Sequence, residues 1–170
     1  MVKNLLKACF MMAALTAAGQ AAAETYTVGS GGTYRPFEFE NSQKQLEGFD
    51  IDIIKAIAKA EGFDVKLVNT PWEGIFATLN TGDRDIIISG ITITDKRKQM
   101  VDFSAPYFPA EQSIVVAQDS QVDSLAALKN EKVGVVNSST GDIVVSEVLG
   151  KNSTAIKRFD NTPLMLQELF

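Results

Sequence analysis

The chain has 170 residues, of which 16 are basic, 21 acidic and none histidine, giving a formal charge of −5 at pH 7. That balance argues against a nucleic-acid partner, which needs a basic face. The missing histidine excludes Ser-His-Asp and Cys-His catalysis and every histidine-ligated metal site, no metal-loop spacing is present, and no cofactor is expected.

Residues 1–23 read as a secretory signal peptide. Lys3 and Lys7 are basic, Ala8 to Gly19 is apolar and uncharged, and Ala21-Ala22-Ala23 supplies a cleavage site before Glu24. The apolar stretch is too short to span a bilayer, which takes about 20 residues. Cys9, the one cysteine, belongs to the discarded peptide, so the mature chain has no disulfide. Its two lysines gone, the mature chain keeps 14 of the 16 basic residues against 21 acids, a net −7. Export without disulfides fits a bacterial periplasm.

Beyond Glu24 strands and helices alternate. Tyr26 to Val28 alternates as a strand and meets the turn Gly29-Ser30-Gly31-Gly32. Asp50 to Glu61 has helical period, with Ile53, Ile54, Ile57 and Ala58 as the apolar stripe, acids in the first turn and Gly62 to end it. Asp50 and Asp52 are read as compensating the helix dipole. Val65-Lys66-Leu67 is a strand and Gly74 to Thr81 a short helix. The strand Ile86 to Ile88, a brief helix from Asp95 and a strand at Val101 to Phe103 complete a βαβαβ unit with a parallel sheet.

After Pro106 to Pro109 the pattern restarts. Ser113 to Ala117 reads as extended and Asp123 to Lys129 as helix. Strand Lys132 to Val136, helix Thr140 to Leu149, strand Ala155 to Phe159 and a helix from Pro163, capped by Thr162, follow. The expected organisation is lobe 1 at 24–110 and a partial lobe 2 at 111–170.

The segment Ser89-Gly90-Ile91-Thr92-Ile93-Thr94-Asp95-Lys96-Arg97 follows the Ile86 strand directly. Ser89 and Thr92 can donate hydrogen bonds, Gly90 admits a close ligand, and Arg97 offers a planar fork for a carboxylate. In open α/β sheets ligands bind beyond the carboxyl ends of strands. A polar strand-to-helix turn, with Thr94 as N-cap and Arg97 on the surface, accounts for the same residues.

Gly48-Phe49-Asp50-Ile51-Asp52-Ile53-Ile54-Lys55-Ala56-Ile57-Ala58 closely resembles the signature of periplasmic solute-binding proteins for polar amino acids, the receptors of ABC importers. Gly32 to Phe39, Ser89 to Arg97, Val101 to Tyr107 and Lys132 to Gly141 extend the resemblance over the mature chain. It implies a two-lobed α/β fold, incomplete in its second lobe, that closes on a free L-amino acid and presents it to an ABC permease, without catalysis, as a monomer. It further implies that Tyr34 and Trp72 sandwich the ligand side chain. Ser89, Gly90 and Thr92 would hold the amino-acid backbone, Arg97 would grip the α-carboxylate, and Thr140, with Asn137 beside it, would reach the carboxylate from lobe 2. Two departures stand out: Gly31 occupies the place where members specific for basic or amide side chains often carry an acid, and the aspartate that binds the α-amino group lies beyond the region matching Phe170. A dehydratase on the same scaffold, with Glu73 as its acid, and a ligand-sensing module are the other readings.

Overall fold

The structure is a computed structural model that describes residues 23–169. Residues 1–22, which hold all but the last residue of the signal peptide expected at 1–23, and Phe170 lie outside those residues.

Strand β1 (Thr25–Ser30) is the centre of a parallel three-stranded sheet, flanked by β5 (Asp64–Asn69) and β6 (Ile86–Ile87). Val28 pairs with Leu67 on one side and Ile86 on the other. Between β1 and β5 the chain forms an antiparallel meander, β2 (Thr33–Tyr34), β3 (Glu38–Glu40) and β4 (Leu46–Glu47), and then helix α1 (Phe49–Glu61). Helix α2 (Ile75–Asn80) joins β5 to β6, and the one-turn α3 (Asp95–Lys98) follows β6. Both crossovers are of the strand–helix–strand kind that parallel pairing requires.

A second unit begins with a 3-10 helix, Ala126–Asn130. Strand β7 (Val133–Val136), helix α4 (Thr140–Leu149), parallel strand β8 (Ile156–Phe159) and helix α5 (Thr162–Gln167) complete it. Helix α5 packs on β7 and β8 and reaches β2 of the first unit.

Each unit has its own apolar core. Val28, Ile54 and Ile88 form the first, with Ile53, Val65, Leu67 and Ile86 around them. Leu128, Val135, Val145 and Ile156 form the second. Each such side chain, fully buried, contributes about 1.5–3 kcal/mol.

The segment before α1 depends on Gly48. Its φ is 125°, and a Cβ there would sit 2.3 Å from the carbonyl oxygen of Phe37. Only glycine fits, and the tight approach lets Phe49 and Asp50 N–H groups bond to Pro36 and Phe37 carbonyls.

Several expected elements differ. The buried face of α1 is Ile51, Ile54 and Ala58; Ile57 is exposed, because it lies about 100° around the helix from Ala58. Val101 to Phe103 and Ser113 to Ala117 form no strands, since no ladder partner lies beside them. The helix expected from Asp123 is a single 3-10 segment starting at Ala126. Asn161, rather than Thr162, caps α5 by accepting a bond from Leu164 N–H at 3.0 Å, with Thr162 and Pro163 inside the first turn.

Candidate functional site

The segments that follow β1, β5, β6 and β7 meet at the carboxyl ends of their strands. Arg97 stands at the centre. Thr94 caps α3 by accepting the Arg97 N–H at 3.2 Å, which aims the arginine side chain back along the loop. Its Nη1 donates to the Thr92 carbonyl at 3.0 Å and its Nη2 to the Ser138 carbonyl at 3.3 Å. Its guanidinium also lies over the rings of Trp72 and Phe76, 5.2 and 5.4 Å from their centroids.

Arg97 is 5% exposed. Burial pushes its pKa below the ordinary arginine value, though a guanidinium stays charged in a protein. Among the described residues no carboxylate forms an ion pair with it. A buried charge held only by two carbonyls and two aromatic faces is costly. The arrangement is therefore electrostatically complementary to an anion that the protein does not itself supply.

The second unit brings more polar groups to this point. Trp72 donates its indole N–H to the Asn137 carbonyl at 2.9 Å. The Thr92 and Thr140 hydroxyl oxygens lie 3.5 Å apart, and Gln112 donates to Thr140 at 3.1 Å. Helix α4 starts at Thr140, with Ser139 accepting the Asp142 N–H at 3.2 Å. Its positive end faces the same region. Asp142 in turn accepts the Ser138 N–H at 3.0 Å and pairs with Arg158 at 2.9 Å. Burial pushes the Asp142 carboxyl up, but Arg158, the Ser138 N–H and Ser146 outweigh it and hold the pKa below the usual value.

Tyr34 is exposed and stacks on Phe37 with ring centroids 5.5 Å apart. A Cβ on Gly90, whose φ is +54°, would come within 3.0 Å of the Tyr34 ring. Gly90 thus lets that ring pack against the turn after β6.

Ser89 and Gly90 turn their polar groups inward. The Ser89 hydroxyl donates to Glu38 Oε1 at 2.6 Å and accepts the Gly31 N–H at 3.0 Å. The Gly90 N–H donates to Asp50 Oδ2 at 2.6 Å. Asp50 also accepts the Tyr107 hydroxyl at 3.0 Å, and it is fully buried. Its expected role in compensating the helix dipole is thus joined by a tertiary one. Sequence reasoning missed Glu38, Tyr107, Phe76, Gln112 and the Ser138 carbonyl; the one available signal was an acid, Glu38, between Phe37 and Phe39 in an alternating strand. Glu73 is exposed.

Burial pushes the Glu38 carboxyl up to about 8, the Ser89 hydrogen bond opposes the rise, and the neighbouring Asp50 adds to it. Burial likewise raises Asp50, against the pull of Gly90 and Tyr107, and raises Tyr107 together with the Asp50 charge.

The family model of bacterial extracellular solute-binding proteins, family 3, matches residues 26–164. The chain belongs to this family. The "Probable histidine-binding protein" of Neisseria gonorrhoeae is 46% identical to it over 147 residues, covering 86% of this chain and 55% of that protein. The solved "arginine-, lysine-, histidine-binding protein ArtJ" of Geobacillus stearothermophilus superposes with a TM-score of 0.82 at 40% identity, over 86% of this chain and 62% of that one. The "ancestral amino acid-binding protein AncCDT-1, a precursor of cyclohexadienyl dehydratase" superposes at 0.79 with 41% identity, over 85% and 65%. The α/β periplasmic-binding-protein-like architecture expected from the sequence is that of these neighbours. The chain spans about half the length of the curated relatives it matches.

Proposed function

We propose that the chain is the ligand-capturing part of a non-catalytic periplasmic receptor for a polar L-amino acid, which passes its ligand to an ABC permease in the inner membrane. The observation that carries this reading is Arg97: a buried guanidinium with carbonyl and aromatic neighbours but no carboxylate. An α-carboxylate would complete it bidentately. In this reading lobe 1 spans 24–110 and lobe 2 runs from 111 onward.

Thr92 and Thr140 then present hydroxyls from opposite sides, and the Asn137 loop and the start of α4 add their dipoles. Tyr34 and Trp72 form the walls for the ligand side chain, and Ser89 and Gly90 shape the floor between them. The two buried acids nearest the loop, Glu38 and Asp50, are engaged with the protein. An aromatic wall without a facing acid suits a side chain that is largely neutral at pH 7, which favours histidine, whose ordinary pKa is about 6.5, over arginine or lysine. The similarity to a histidine-binding relative supports testing that amino acid first. The reading involves no turnover, and the exposed Glu73 is not assigned a role.

The test is thermal melting of the purified chain with each common L-amino acid at millimolar concentration. A ligand that binds only the folded state raises the midpoint by mass action. Histidine and a few polar amino acids are expected to do so. A cooperative melt indifferent to every amino acid would reject the reading.

A further inference from the structure

Glu38 and Asp50 are 2% and 0% exposed, and they come from different elements, β3 and α1. Between them they hold the turn after β6: Ser89 donates to Glu38 Oε1, and Gly90 donates to Asp50 Oδ2. Tyr107, from the segment after α3, donates to Asp50 Oδ1. The titratable groups facing one another here are Glu38, Asp50 and Tyr107; the loop after β6 contributes only the Ser89 hydroxyl and the Gly90 N–H, and Gly31 after β1 only its N–H. None of the ion pairs among the described residues reaches either carboxylate. Glu38 Oε2 is buried with no hydrogen-bond donor.

Two ionised carboxylates held together without a cation repel, and one orphaned oxygen adds a desolvation cost. A single proton on Glu38 Oε2 removes both problems, because it turns the orphaned acceptor into a donor and cancels one of the two charges held at the turn. Asp50 stays ionised, consistent with the two donors already aimed at it.

The geometry points to a shared proton on the Glu38–Asp50 pair that fixes the Ser89–Gly90 turn, making both acids positioning residues for the ligand loop. The importance of that turn for ligand capture rests on the receptor reading above. The proton itself is tested without ligand, so failure of one is distinct from failure of the other. Burial pushing Glu38 to about 8 agrees with the pair being protonated once at neutral pH.

The experiment is NMR of the ligand-free chain across about pH 6 to 10, read at the Ser89 and Gly90 amides. Infrared spectra over the same range report the carbonyl stretch of a protonated carboxyl. The Gly90 amide is expected to titrate with a midpoint of about 8, in step with loss of the carboxyl band. In Glu38→Gln the amide carbonyl still accepts from Ser89 and the NH2 puts a donor in place of Oε2, so the turn keeps its low-pH position. The variant should then show a flat Gly90 shift and no band. A Gly90 amide that ignores pH in the unaltered chain, or an unchanged titration in Glu38→Gln, would overturn the proposal. Should Glu38→Gln not fold, the infrared band decides: its absence from the unaltered chain at about pH 6 also overturns it.

Discussion

Arg97 of α3 donates to the Ser138 carbonyl in the loop before α4, so one guanidinium spans the two units of the fold. The contact puts a charge from the first unit against backbone of the second. Among the described residues no carboxylate pairs with that charge.

Arg97→Met is expected to leave the ligand-free chain as stable as before, or more so, because an apolar side chain of similar volume removes a buried unpaired charge. The same change should abolish any ligand-induced rise in the melting midpoint. Arg97→Lys keeps the charge but loses the planar fork, and should weaken binding roughly 10- to 100-fold, the equivalent of a charged hydrogen bond worth about 1.5–3 kcal/mol. Melting with and without histidine checks both variants.

Trp72 is the chain's single tryptophan and its indole N–H bridges to Asn137. Intrinsic fluorescence therefore reports on the contact between units without any label. Amino-acid binding should shift or quench that emission. Trp72→Phe, probed by melting, should lose about 1 kcal/mol from the missing hydrogen bond.

Gly48→Ala should be among the most damaging single changes outside the site. The new Cβ would collide with the Phe37 carbonyl in a backbone conformation that L-residues avoid. A loss of more than about 3 kcal/mol is expected, measurable by denaturant unfolding.

Stability should fall toward both pH extremes, for different reasons. Asp142 has a lowered pKa in the folded chain, so its contribution is present above the ordinary carboxylate value of 3.8 and is lost as pH drops toward the folded pKa. Glu38 has a raised pKa, so the folded state holds a proton that the unfolded chain has released. Its contribution is complete below 4.5, declines as pH rises, and has gone once pH passes about 8. Asp142→Asn should flatten the acid limb of the midpoint-versus-pH curve and Glu38→Gln the alkaline limb.

Much of this architecture was legible in short windows. The stripe of Ile53, Ile54, Ile57 and Ala58 marks α1, although the face it buries is Ile51, Ile54 and Ala58; Thr94 caps α3 as its position before Asp95 suggests, and the alternation of Lys132 to Phe159 yields β7, α4 and β8 in order. Windows fail where a residue's partner is distant in sequence. Asp50 in a first helical turn looks like dipole chemistry; only Gly90, 40 positions away, shows that it also anchors a loop. The Trp72–Asn137 bond joins residues 65 positions apart. Val101 and Phe103 alternate as a strand would, but a strand exists only where a neighbour offers a ladder. The Arg97 fork was visible as chemistry; its lack of an acidic partner is a property of the assembled site.

The placement of β1 has a practical consequence. It is the central strand of its sheet, and its carboxyl end, at Ser30, leads into the loop beside Ser89, while Thr25 lies at the opposite edge, about 16–20 Å away for a strand of six residues. Whatever is joined ahead of Thr25, whether a tether, an affinity handle or an immobilising surface, attaches behind the sheet. The residues around Ser89 therefore face away from a biosensor chip anchored through the amino end.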